Sequence, residues 1–224
     1  MKHLTRKQVI DAAASTGDLS GLDLSGIDLS NLDLVAVNFN GSDFKNTNLS
    51  KSNFSMSSFE GASLLGCDLS SSNFTGANFR AAEAAGTDMS FSTFSGADFS
   101  GAGLQKTNFA NAKITCTIFD KADLTGVNLQ MTDAALASFR NARMGEIDAY
   151  GSSMIGANLS GALLHKANLR GTDLNGADLS SADFTGAVLL EVSLTGADLS
   201  NADMQAAQIL RSDMIRTKKE NDNK

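Results

Sequence analysis

The strongest constraint on this chain is a repeat of five residues. In LSGLDLSGIDLSNLDL, residues 19–34, leucine falls at Leu19, Leu24, Leu29 and Leu34, and an aspartate precedes each one. Five is neither the 3.6-residue period of a helix nor the two-residue period of a strand. The register runs unbroken from Leu19 to Met214. These 40 pentads carry Leu 18 times, Phe 12 times, Met 5 times, Ala 3 times and Ile twice at the centre. No centre is polar, so this position predicts a continuous core column.

The remaining positions are almost as restricted. Two residues before each centre the side chain is usually Ala, Ser or Thr, and the residue just before it is mostly Asp or Asn. Two residues after the centre stand 17 of the 20 glycines and five asparagines, the residues that best tolerate positive φ. A bend every five residues makes each pentad one side and one corner of a polygon. The centre and the small residue two before it point inward, and the rest face water. One turn of such a polygon cannot bury its apolar centres, so turns must stack, at roughly 4.8 Å per layer.

Composition alone would allow disorder: there is no proline or tryptophan, and Gly, Ala, Ser, Asp and Asn abound. The 42% of apolar residues and their strict order argue instead for a packed repeat. No apolar run reaches membrane-spanning length, and the N-terminal segment MKHLTRKQVI lacks a signal core, so a soluble cytoplasmic protein is expected. Cys67 and Cys116 are isolated thiols outside any metal-like pair.

ANFRA (residues 77–81), ADFSG (97–101), ANLRG (167–171) and ADLSS (177–181) resemble the pentapeptide-repeat family, whose pattern is A-[D/N]-[L/F]-X-X. The resemblance covers residues 17–216. It implies an all-β fold, a right-handed quadrilateral parallel β-helix with four pentads per coil, about ten coils and a rod roughly 48 Å long. Residues twenty apart then stack. One wall carries Phe39, Phe59, Phe79, Phe99, Phe119 and Phe139, and a neighbouring wall carries Phe54, Phe74 and Phe94. The undersized centre Ala149 is matched by an oversized Ile147.

A solenoid needs covered ends. Thr5 and Gln8 are spaced as a capping box and Leu4 and Val9 as a hydrophobic staple, predicting a short capping helix from about Arg6 to Ser15. Leu22, Ile27 and Leu32 add bulk to the first coil, where that helix would sit. The C-terminal stretch QAAQILRSDMIRT fits the pentad register and also reads as helix. The expected organisation is a capping segment at 1–16, the repeat at 17–216 and a polar tail at 217–224.

No catalytic, cofactor or metal constellation is evident. His3 and His165 are far apart, and the many aspartates are the repeat's own consensus. The expected function is a non-enzymatic interaction rod that binds another protein, without direct nucleic-acid or membrane contact. The resemblance implies an alternative: some family members bind bacterial type II topoisomerases such as DNA gyrase as duplex-DNA mimics, conferring quinolone or toxin resistance. A net charge of −7 invites that reading. The acidic residues, however, gather at the ends, with Asp18, Asp23, Asp28 and Asp33 in the first coil, and Lys and Arg intersperse the middle. Outward apolar residues mark candidate interfaces: Phe91, Met131, Leu136, Tyr150 and Ile155 in one region, and Leu190, Leu210 and Ile215 near the C-terminus. The second group raises the expectation of a homodimer through the C-terminal end, with a self-capped monomer as the competing outcome.

Overall fold

A computed structural model describes residues 4–212. One helix, α1 (Arg6–Thr16), precedes a long run of parallel β-bridges. From Asp18 to Asp183 every fifth residue bridges to the residue twenty positions ahead, as in Asp18↔Asn38 and Asp183↔Asp203. Each coil is therefore twenty residues, four pentads. Among the described residues the regular strands are β1 (Val188–Leu190) and β2 (Gln208–Leu210), which pair in the same parallel register, Leu189 against Ile209. Because β2 keeps the pentad register, the helical reading of the C-terminal stretch fails as far as residue 212. Residues 213–224, with Ile215, lie outside the described residues.

The pentad Ala97–Gly101 shows why these residue types recur. The Ala97 amide donates to the Phe94 carbonyl at 2.8 Å, closing a turn. The Asp98 amide donates back one coil to Ala77 O at 3.0 Å, while the Phe99 and Gly101 amides donate forward to Ile118 O at 2.7 Å and Asp120 O at 3.0 Å. The Ser100 amide would be left over, and the Asp98 carboxylate takes it at 2.8 Å. The Asp or Asn before each centre is thus a backbone partner, an Asx turn built into the repeat. The same bond recurs from Ser20 with Asp18 to Gln205 with Asp203.

The corners supply the second requirement. From Gly21 to Arg211 every residue two after a centre has φ between 53 and 72°. A turn with positive φ only at its third residue is of type II, which glycine suits best. Non-glycine residues fill 22 of these corners, and none is β-branched, the side-chain class that tolerates this region least.

Inside, the centres form one continuous core, and the twelve largest fully buried side chains are all phenylalanines. Coil spacing imposes parallel stacking along a wall: Phe79 and Phe99 lie 4.5 Å apart at 1°, Phe54 and Phe74 5.2 Å apart at 7°. Across a corner the rings meet edge to face, as Phe94 and Phe99 do at 5.4 Å and 64°, a favourable geometry for the ring quadrupoles. Buried hydroxyls at the small inward position are satisfied across coils. Thr107 Oγ1 donates to Ala84 O at 2.8 Å, and Cys67 Sγ fills the same role toward Phe44 O. Burial accordingly pushes the Cys67 thiol up to about 12, which makes it an inert packing group.

Helix α1 sits over the first coil, one residue longer than its sequence predicts. Thr5 and Gln8 form the capping box, Val9 is fully buried, and Gly17 ends the helix in the left-handed conformation at φ 64°. Leu4, Ala12, Ala13, Leu22 and Leu32 pack against the core there. The first coil has no preceding coil to donate to its carbonyls. Arg6 replaces those donors: Nη1 reaches Asp28 O and Nη2 reaches Ser30 O, both at 2.7 Å. Thr16 Oγ1 serves Asp18 likewise, accepting from its amide at 3.1 Å and donating to its carbonyl at 3.2 Å. The other end opens gradually: Leu199 is buried, Met204 half-buried, and Ile209 44% exposed despite being a centre.

Three outcomes are expected. Phe99→Ala removes a ring stacked on both sides and should destabilise the fold by about 3–5 kcal/mol in denaturant melts. Arg6→Met keeps the packing but removes the donor to one exposed and one part-buried carbonyl, and should cost about 0.5–1.5 kcal/mol in the same melts. The third outcome is a pH dependence. Hydrogen bonds from the Thr185 hydroxyl and amide hold Asp183 below the usual carboxylate range, and those from Ser20 do the same for Asp18. Depressed carboxylates stabilise the fold above their unfolded pKa, and that contribution is lost as pH falls through the folded values. Urea midpoints should therefore fall on acidification below about pH 4, and Asp183→Asn, which keeps the acceptor, should weaken that dependence without loss at pH 7.

Candidate interaction surfaces

The outward residues were expected to carry function, and the walls now order them. Met131 occupies the corner before the wall centred on Ala134, and Leu136 the corner after it. Tyr150 and Ile155 flank the same wall one coil on, centred on Met154, and the two layers are joined by the Asp133↔Ser153 bridge. All four side chains are between 45 and 64% exposed. Glycines in the next coil let Met131 and Leu136 lie along the rod. A Cβ at Gly151 would stand 2.8 Å from Met131 Sδ, and one at Gly156 would stand 2.9 Å from Leu136 Cδ2. Two coils thus present an apolar frame around one wall.

Phe91 does not join this group. It shares Met131's column, but Asn111 separates them, and Phe91 borders a groove extending toward the N-terminal coils. Leu190 is half-buried in β1 rather than fully outward, because Leu210 of β2 stacks beside it in the parallel register. Leu210 itself is 61% exposed on the opened last coil.

The acidic first coil is partly committed to structure. Asp18, Asp23 and Asp28 accept the amides of Ser20, Ser25 and Ser30, and Asp18 and Asp33 also accept from Asn38 and Asn53 of the next coil. The Ser30 hydroxyl and amide, then Arg6, hold the Asp28 carboxyl below its ordinary range. Farther along, ion pairs join neighbouring coils: Arg80–Asp98 at 2.9 Å, Arg143–Asp123 at 3.5 Å, and Arg170 and Arg211 on Glu191 at 3.7 and 4.0 Å. Burial pushes Asp98 up, but Ser100 and Arg80 outweigh it and leave the carboxyl lowered. The rod therefore presents alternating charge along its middle.

Cys116 is exposed at a corner far from buried Cys67, and His165 is exposed over Gly145. His3 lies outside the described residues. Among the described residues no group of three or more His, Cys, Asp or Glu side chains could hold a metal ion, and no helix is long and apolar enough to cross a membrane.

Two features were not anticipated from the sequence. One is the carbonyl capping by Arg6. The other is a change of corner in the first four coils. The amides of Leu32, Ser52 and Ser72 do not close their turns. They donate to the hydroxyls of Ser52, Ser72 and Ser92, twenty residues on, at 3.0–3.1 Å. At Ala112 the hydroxyl ladder has no next member, and the turn closes normally onto Phe109 O at 2.9 Å.

Comparison with known proteins bears on this geometry. Solved structures with the same architecture include HetL, a pentapeptide repeat protein involved in heterocyst differentiation regulation from the cyanobacterium Nostoc sp. strain PCC 7120. It is 26% identical over 92% of this chain and 95% of its own, with a TM-score of 0.75. QnrB1, a plasmid-mediated fluoroquinolone resistance protein, is 19% identical over 87% of this chain and 94% of its own, with a TM-score of 0.55, a likeness of fold. Among curated proteins none matches the sequence. Pentapeptide repeats match the sequence in eight copies, from residues 18–55 and 52–90 through to 172–214. The five-residue register, the twenty-residue coil and these matches together establish that the chain belongs to the pentapeptide-repeat family.

Proposed function

We propose that the chain is a non-enzymatic protein-interaction rod acting in the cytoplasm. In this reading residues 1–16 cap a right-handed quadrilateral β-helix of about ten coils, residues 17–216, and 217–224 form a polar tail. The carrying observation is the apolar frame of Met131, Leu136, Tyr150 and Ile155. Aromatic and Met side chains are enriched at protein interfaces, and an exposed cluster of this kind on a rigid surface suits a partner's apolar anchor. Proteins of this family are generally structural or interaction proteins, and the similarity to HetL, a regulatory protein by its description, is in keeping with a scaffold or adaptor.

The alternative is a DNA-mimicking binder of a type II topoisomerase. Similarity of fold to QnrB1 and the four carboxylates of the first coil favour it. The interspersed cations of the middle coils speak against a continuous phosphate-like field. A homodimer through the C-terminal end is part of the proposal, because among the described residues Ile209 and Leu210 of β2 stand exposed as an apolar pair at that end.

The expected outcome is a partner, recovered from the native host and then purified, that binds the wild type saturably and the Met131→Ser, Tyr150→Ser double variant at least about tenfold more weakly. Equal binding by a folded variant removes the frame as the interface. Gyrase supercoiling assayed with and without a quinolone decides the alternative: a change at stoichiometric chain concentration would establish it in place of the scaffold reading. Light scattering at high protein concentration should give about twice the 23.4 kDa chain mass.

A further inference from the structure

Along the altered corners of the first four coils runs a shallow groove of about 540 Å3, open to solvent along its length. One bank carries Lys51, Ser71 and Phe91, and the other Asp33, Asn53 and Asn73, each bank repeating at the coil spacing. Four coils span three such steps, roughly 14 Å. The floor, Ser52 and Ser72, is buried and its hydroxyls are engaged with Leu29 O and Leu49 O. The groove ends where the serine ladder ends, and Phe91 stands there, 66% exposed. Phe91 is the one phenylalanine outside the core columns and the only aromatic residue at a left-handed corner, with φ 57°.

The chemistry of this groove narrows its occupant. A charged ligand has no net complement, since Lys51 and Asp33 oppose each other across it. An apolar ligand finds only Leu32 on the floor, at the N-terminal end, and polar side chains along most of both banks. The banks offer amide and hydroxyl groups that are already held in place. Asn53 Nδ2 donates to Asp33 Oδ1 at 2.8 Å and Asn73 Nδ2 to Asn53 Oδ1 at 3.0 Å, which leaves each amide a second hydrogen to donate. Groups fixed in this way lose little rotamer freedom on binding. An extended peptide presents its backbone at about 3.3 Å per residue, out of step with donors spaced at about 4.8 Å. A sugar ring presents neighbouring hydroxyls that both donate and accept, and a C–H face that suits the electron-rich face of an aromatic ring.

We propose that this groove binds a neutral oligosaccharide lying along the rod axis, with one sugar face on Phe91 and hydroxyls on Asn53 and Asn73. The site is separate from the apolar frame and stands whether or not the frame is an interface. The test uses the full chain with cellohexaose, chitohexaose and maltohexaose as probes, followed by saturation-transfer NMR and calorimetry. At least one should bind with a dissociation constant of about 1 mM or tighter. Phe91→Ala and Asn73→Ala should each weaken it at least about fivefold, and Phe91→Tyr should retain it, with unchanged thermal melts showing that the variants stay folded. Failure of all three sugars to bind overturns the proposal. So does binding that Phe91→Ala leaves unchanged, or selection from a random peptide library of segments whose binding needs Phe91 when no sugar binds.

Discussion

Everything in this molecule depends on one corner geometry. A residue at φ near +60° every fifth position turns the chain so that four turns bring it back above itself. Only then can the amides of one coil reach the carbonyls of the next, and only then do the centres share a core. The corner also explains the outer aspartates and asparagines. The amide just before the left-handed residue points to neither neighbouring coil, and the Asx side chain accepts it. An acidic surface on such a rod is therefore first a consequence of backbone accounting. That weakens any inference from net charge alone to nucleic-acid mimicry.

Ends pose a separate problem, because a stack of identical layers always leaves one layer without a neighbour. At the N-terminus the solution combines apolar cover with polar substitution. Helix α1 seats Val9 on the core, while Arg6 and Thr16 stand in for the missing coil's donors and acceptors. A helix that only covered the apolar face would leave the Asp28 and Ser30 carbonyls, one exposed and one part-buried, without a protein donor. At the other end, among the described residues, the centres become progressively exposed from Leu199 to Ile209.

The surfaces with functional promise are departures from the repeat that the repeat can carry. Corners accept Met131 and Leu136 because Gly151 and Gly156 in the next coil leave room for the longer side chains, whereas Phe91 stands below Asn111 and borders an open groove. The serine ladder is a second departure: three successive hydroxyls divert three amides and reshape one edge without breaking the register. A rigid repetitive scaffold can thus vary its exterior while its interior stays fixed.

The sequence alone determined the five-residue period, the apolar centres, the inward small residues and the capping box, while the twenty-residue coil and its stacked phenylalanine walls were what the family resemblance implied. The first four are set by local spacing; the number of pentads in a coil is set by how the corners close, which the parallel bridges twenty residues apart display. The tertiary structure decided what depends on which group lies above another. Arg6 reaches carbonyls 22 and 24 residues away only because α1 docks at one angle. Phe91 parts from Met131 because Asn111 fills the column between them, and Leu190 loses exposure to the strand that pairs beside it. The serine corners follow from a hydroxyl twenty residues ahead accepting an amide in place of the turn's own carbonyl. That competition is settled by distance and angle in the folded coil, which residue spacing does not encode.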